Sequence, residues 1–331
     1  MTAGAARSAG KAPAAPPAWR HRHLLDVADL ARDEIETLFA LADEMAASRA
    51  RRERRTDLAG RRVTTLFYEA STRTRLSFEA AARALGAEVS SVAVASSSVS
   101  KGESLVDTLR TLEALGTDLL VLRHARSGAP WLAARHFGGH VVNGGDGWHA
   151  HPTQALLDLY TLRARLSEGR VAGRKVVILG DVLHSRVARS NVWTLTGAGA
   201  DLWLCGPPTL LRGFGAWARA LPPGRRLSVT SDVSAALRAA SAVMVLRLQR
   251  ERMESGLLPS LAEYAARYGL TAERLRQARP DVVVLHPGPM NEGIEIAPEV
   301  AAGPRSVVAD QVANGVPVRM ALLALLAGTP G

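Results

Sequence analysis

The chain holds one cysteine, Cys205, and three lysines, Lys11, Lys101 and Lys175, among its 41 basic residues. A lone cysteine set in the apolar run Leu202 to Cys205 makes no internal disulfide and no cysteine-based zinc site. A reducing cytoplasm is therefore the expected setting. Long apolar runs are missing as well: the longest late one, Met320 to Ala327, is too short to span a bilayer and fits a terminal core helix. The first twenty residues are rich in Ala, Pro and Gly and contain no apolar stretch of signal-peptide length. Residues 1–20 are expected to form a disordered tail, and the protein to be soluble, with no membrane partner.

Glycine-rich nucleotide fingerprints are absent too. Gly180 follows an apolar strand-like run but opens no fingerprint, and Gly197-Ala198-Gly199 follows a helical pattern instead. The net charge of +10 raises the alternative of a nucleotide- or nucleic-acid-binding module, but the 38 arginines are scattered through every segment. Their one run, Arg49 to Arg55, reads as a solvated helix end, so no nucleic-acid partner is expected.

What is present is a repeated alternation of strands and helices. A helical period covers Asp29 to Arg54, acidic early and basic late in agreement with the helix dipole. Strands are expected near Val63 to Tyr68, Glu88 to Val94, Leu119 to Arg123 and Val141 to Asn143, with helices at Leu76 to Leu85 and Ser104 to Leu115. Gly144-Gly145-Asp146-Gly147 breaks the pattern, and a long helix, Thr153 to Leu166, leads into a second series. Strands of that series fall near Lys175 to Leu179, Leu202 to Cys205, Leu227 to Thr230, Val243 to Leu246 and Val282 to Leu285. A chain of 331 residues exceeds what one core usually serves. The expected fold is α/β, with two doubly wound parallel-sheet domains and an active-site cleft between them.

The densest chemistry lies between the first strand and the helix after it, at Ser71-Thr72-Arg73-Thr74-Arg75. Free backbone amides and the helix dipole converge at such a turn, which makes it an anion site and, with these side chains, a phosphate site. A Ser/Thr N-cap would explain a single Ser-Thr pair, but five consecutive polar side chains exceed what capping needs. Arg75 is the exception, since Glu79 lies one turn on and can pair with it. Among the nine histidines, His151 stands out because it opens a helix after the glycine break, one turn before Gln154. A zinc pair of His149 and His151 finds no cysteines or acids nearby to complete a ligand set, so no metal is expected.

Phe67 to Glu79 resembles the carbamoyl-phosphate signature of the aspartate/ornithine carbamoyltransferases. The resemblance continues in order through Lys101-Gly102-Glu103-Ser104, Leu122-Arg123-His124, His151-Pro152-Thr153-Gln154, Gly180-Asp181 to Arg186, Arg247-Leu248-Gln249 and His286-Pro287-Gly288-Pro289. It implies that Ser71, Thr72, Arg73, Thr74 and Arg123 hold the phosphate and carbonyl oxygens of carbamoyl phosphate. His151 would help polarise the carbonyl, and Gln154 would contact the carbamoyl amide. Arg73, Thr74, Arg123 and His151 would be the catalytic set. It further implies that Ser97 and Lys101 are donated by a neighbouring subunit, which makes the active unit a homotrimer with shared sites.

Arg186, Arg247 and Gln249, with Lys101, Gly288 and Pro289, match binders of a dicarboxylic amino acid. The absence of a cysteine from His286 to Pro289 also points to the aspartate branch over the ornithine branch. The implied reaction is transfer of the carbamoyl group to the α-amine of L-aspartate without a cofactor, with another amine acceptor as the runner-up. The implied domains are 21–152 with the C-terminal helix 307–331, which bind carbamoyl phosphate, and 153–306, which bind aspartate. Glu69 resembles an acid that bridges to Arg186 and Arg252 on domain closure; a surface charge at a strand end is its plain alternative. Val187 stands where some relatives have a threonine, and Glu292 where close relatives often have an arginine. The sequence leaves open whether a regulatory chain or another pathway enzyme docks on the trimer.

Overall fold

A computed structural model describes residues 19–93, 103–249, 252–253 and 256–329. The first half contains α1 (Arg32–Ala50), β1 (Arg62–Phe67), α2 (Thr72–Ala84), β2 (Glu88–Ala93), α3 (Leu105–Ala114), β3 (Leu119–His124), α4 (Ala129–His136) and β4 (His140–Asp146). The long helix α5 (Pro152–Arg165) follows. The second half runs β5 (Lys175–Leu179), α6 (Arg186–Gly197), β6 (Asp201–Cys205), α7 (Phe214–Ala220), β7 (Arg226–Thr230), α8 (Val233–Leu237), β8 (Ala242–Val245), α9 (Leu261–Tyr268), α10 (Ala272–Leu275), β9 (Val283–Leu285) and α11 (Pro298–Ala301). The final helix, α12 (Val308–Ala327), returns to pack on α1, α2 and α5 of the first half.

The strands form two all-parallel sheets, in the orders β2-β1-β3-β4 and β7-β6-β5-β8-β9. Parallel sheets carry helices on both faces, so their strands read as continuous apolar runs; β8 is buried at every position. Strand order reverses beside β1 in the first sheet and beside β5 in the second, and in such sheets ligands bind outside the carboxyl ends at these reversals. One apolar cluster joins the halves: Phe78 of α2, Val121 of β3, Leu156 and Leu162 of α5, Ile178 of β5 and Leu322 of α12 are all buried in it. Truncating Phe78 would cost roughly 3–5 kcal/mol and loosen the helix whose first turn faces the cleft. Among the described residues no helix is long and apolar enough to cross a membrane.

The glycine run does not end β4, as the sequence pattern suggests. The strand continues to Asp146 with every residue buried, and Gly147 is needed because a Cβ there would lie 2.3 Å from Ser127 Oγ. The reason is close packing against the loop after β3. Residues 1–18 of the expected tail lie outside the described residues, and its last two make ordered contacts. Trp19 is buried in the core and its indole N–H donates to the His21 carbonyl at 2.8 Å, while Arg20 reaches Glu34 at 3.1 Å. The terminal helix runs Val308–Ala327, within the expected 307–331, and continues through Pro317 in its interior.

Candidate functional site

Between the two sheets lies a cleft of about 560 Å³, at the carboxyl ends of β1, β3, β5, β8 and β9. Ser71, Thr72, Arg73 and Thr74 form one end of it. Ser71 stands at the N-cap of α2 with an extended backbone, yet its hydroxyl makes no capping bond. The first helical bond is Arg75 N–H to the Ser71 carbonyl, so the amides of Thr72, Arg73 and Thr74 have no carbonyl of their own helix to reach. Capping therefore does not explain the motif. Thr72 and Arg73 are exposed, and the Arg73 guanidinium spans the cleft to the Pro287 carbonyl at 3.5 Å. Gly288 makes that approach possible: its φ is +68°, and a Cβ at this position would sit 1.1 Å from Arg73 Nη1. Arg75 lies 3.9 Å from Glu79, as its helical spacing suggests.

One carboxylate ties the cleft walls together. Glu69 accepts from Arg186 at 2.8 Å through Oε2 and from Arg252 at 3.2 Å through Oε1, and its Oε2 lies 3.4 Å from Arg123 Nε. Arg186 and Arg252 also both donate to the Gly147 carbonyl. The acid is thus a bridge between the halves and not a surface charge. Three guanidiniums share this one carboxylate, which leaves the cleft with surplus positive charge. Burial, with the Arg186 charge next, pulls Arg123 down to about 9 in spite of Glu69. Arg186 is lowered by burial as well. Buried guanidiniums that outnumber their one carboxylate partner are stabilised by an anionic ligand.

His151 forms the back wall. Its backbone N–H donates to Ser190 Oγ at 2.9 Å, and Nε2 lies 3.4 Å from Thr74 Oγ1. Burial and the charges of Arg123, Arg186 and Arg319 hold the imidazole well below its ordinary range, so it is neutral near pH 7. Gln154 lines the same wall, on the first turns of α5. On the opposite side Arg247 and Gln249 follow β8, and the Gln249 N–H donates to Asp181 Oδ2 at 3.1 Å. Asp181 is held in turn by His184 Nδ1 at 2.8 Å. Gly288 and Pro289 close the floor after β9. His286 Nδ1 accepts from the Gly288 N–H at 2.9 Å, which fixes this loop.

The candidate residues Ser71, Thr72, Arg73, Thr74, Arg123, His151, Gln154, Arg186, Arg247, Gln249, Gly288 and Pro289 thus all line one cleft. Ser97 and Lys101 lie outside the described residues. His149 does not line the cleft; it sits between Asp26 and Asp146, at 3.5 and 3.4 Å. Among the described residues no group of three or more His, Cys, Asp or Glu could hold a metal. Val187 lines the cleft beside Arg186, whereas Glu292 is exposed and is not part of the lining. Three lining or supporting residues carried no sequence signal that was used: Asp158, Gln311 and Arg319. The signal for Asp158 in the sequence is an acid one helical turn beyond Gln154.

The two halves of the cleft correspond to two protein-family models. The carbamoyl-P binding domain of aspartate/ornithine carbamoyltransferase matches residues 22–164, and the Asp/Orn binding domain matches residues 172–326. The chain belongs to the aspartate/ornithine carbamoyltransferase family. Among members of this family, the aspartate carbamoyltransferase catalytic subunit of Roseiflexus sp. (strain RS-1) is 53% identical over 310 residues, covering 93% of this chain and 96% of that protein. The corresponding subunit of Chloroflexus aggregans is 54% identical, covering 93% and 99%. A solved family structure, aspartate transcarbamoylase from Trypanosoma cruzi in complex with N-(phosphonacetyl)-L-aspartic acid, superposes with a TM-score of 0.81 at 31% identity, covering 91% of this chain and 94% of that one. The same enzyme in complex with carbamoyl aspartate and phosphate also gives 0.81.

Proposed function

We infer that this chain transfers the carbamoyl group of carbamoyl phosphate to the α-amine of L-aspartate, giving N-carbamoyl-L-aspartate and phosphate. The observation that carries the reading is the cleft itself. An uncapped helix mouth with Arg73 occupies one end, and Arg186, Arg247 and Arg252 line the same cleft from the other half, cations that suit a small dicarboxylate. Phosphate is the ligand that this helix mouth favours, because its amides and the dipole act on a dianion together.

In the proposed assignment Ser71, Thr72, Arg73 and Thr74 bind the phosphate. Arg123, His151 and Thr74 surround the carbonyl oxygen. Because His151 is neutral, it would act as a hydrogen-bond donor and leave the charge to Arg123. Gln154 meets the carbamoyl amide, and Arg186, Arg247 and Gln249 take the aspartate carboxylates above the Gly288-Pro289 floor. The neutral amine attacks the carbamoyl carbon, forming the N–C bond as the C–O bond to phosphate breaks. The amine proton passes to the departing phosphate, so no separate strong base is required. Residues 21–152 with 307–331 would carry the donor, met by Gln154 from the start of residues 153–306, which would carry the acceptor.

A homotrimer in a reducing cytoplasm, with Ser97 and Lys101 entering the neighbour's cleft, completes the proposal. A colorimetric ureido assay with carbamoyl phosphate against a panel of amino acids tests the reaction: product with aspartate supports it, and product only with another amine overturns the acceptor assignment. For the shared site, Arg73→Ala and Lys101→Ala chains, each inactive alone, should regain activity in mixed oligomers. Verified mixed oligomers without activity would refute the exchange.

A further inference from the structure

Asp158, behind the cleft on α5, has no exposed surface and receives three side-chain amides. Gln154 Nε2 and Gln311 Nε2 donate to its Oδ1 at 2.9 and 2.8 Å, and Asn191 Nδ2 donates to its Oδ2 at 2.9 Å. The groups that face it are therefore Gln154 on its own helix, Asn191 on α6, and Gln311 on α12. The buried cation of Arg319, also on α12, acts on it through its field. Burial raises its carboxyl to about 6, against the hydrogen bonds and the Arg319 charge, which leaves it largely ionised near pH 7. An ionised carboxylate only accepts, so each amide must turn its NH2 toward Asp158 and its oxygen away.

For Gln154 that orientation leaves Oε1, an acceptor, as the group presented to the cleft. We propose that Asp158 is a positioning residue that fixes Gln154 with its carbonyl oxygen facing the cleft, so that the site selects a donor whose acyl carbon bears N–H over an isostere bearing methyl. Its reach is wider than one side chain. Gln311 Oε1 accepts from the His286 N–H at 2.9 Å, which joins the carboxylate to the loop Pro287 to Pro289, and Asn191 lies on the helix that begins with Arg186. One buried group thus ties the donor wall, the floor loop and the acceptor helix into a single arrangement. A donor lacking N–H would leave Oε1 desolvated without a partner, and that loss is the source of the discrimination.

The inference rests on the proposed reading of the cleft, and two stable phosphonates separate the two. Phosphonoacetamide and 2-oxopropylphosphonate differ only in NH2 against CH3. By calorimetry the unmodified protein should favour the first by about tenfold or more. Asp158→Leu should erase most of that preference while inorganic phosphate affinity changes little, and Asp158→Asn, which can still offer an oxygen to Gln154 and Gln311, should restore it. In a Gln154→Met background, Asp158→Leu should alter the preference no further. An Asp158→Leu protein that weakens both phosphonates equally, or an unmodified protein that binds both equally, overturns the inference. Failure to bind either phosphonate or phosphate overturns the reading of the cleft instead.

If Asp158→Leu does not fold, the unmodified protein still decides the question. By NMR with 15N-labelled glutamine, a Gln154 carboxamide proton should be protected from solvent exchange. Exchange at the rate of exposed glutamines would sink the proposal.

Discussion

At the α2 end of the cleft, Thr72 and Arg73 are exposed and have few partners of their own, whereas at the far wall His151, Gln154 and Arg319 are buried and Asp158 accepts three side-chain hydrogen bonds. The first surface waits for charge; the second is already arranged. Preorganised donors act best where charge develops, because they need no rearrangement during the reaction. An exposed cradle suits a highly hydrated dianion that must enter and leave. A dry, fixed wall suits the small neutral amide that must be recognised by direction.

This contrast can be broken at either end. Arg73→Ala should have the largest effect, on the order of 10²- to 10³-fold in kcat or worse, since it removes the donor that the proposed assignment puts at the leaving phosphate. Steady-state kinetics with near-normal turnover would show that the cradle is misassigned. Glu69→Gln comes next, because it strips the one carboxylate shared by Arg123, Arg186 and Arg252. Mutual repulsion of these cations should lower kcat/KM for aspartate by roughly ten- to a hundredfold, more through the acceptor than through the donor. Unchanged aspartate kinetics would mean that the bridge is incidental.

The smallest expected effect sharpens the description of the buried wall. His151 is depressed by burial and by the charges of Arg123, Arg186 and Arg319, so its ring signals in histidine-selective NMR should show no titration across the ordinary histidine range. A midpoint near the ordinary value of about 6.5 would contradict its isolation. The sign for stability follows from the same depression. Below the ordinary histidine value the unfolded chain binds a proton that folded His151 does not, so its contribution to stability falls as pH is lowered.

Much of the architecture is legible in the sequence because buried parallel strands announce themselves as unbroken apolar runs such as Val176 to Leu179. Contiguous motifs are legible for a related reason: a strand-to-helix turn such as Ser71 to Thr74 keeps its chemistry local. What escapes are arrangements made by distant residues. Gln311 meets Asp158 across 153 positions, and Arg319 reaches Thr153 across 166. No spacing rule covers such distances. The glycines after Asn143 misled for the opposite reason, since a residue type that usually breaks a strand was serving tight contact with the neighbouring loop.

The last helix carries a consequence for how this protein is made. Gln311 and Arg319 enter the cleft from α12, after both sheets have been completed. A nascent chain still tethered before that segment would have every strand and the whole phosphate motif, but no amide to hold the loop after β9 and no cation behind the donor wall. The donor wall and the loop after β9 therefore gain their buried amide and cation only once α12 has been made, however complete the sheets already are.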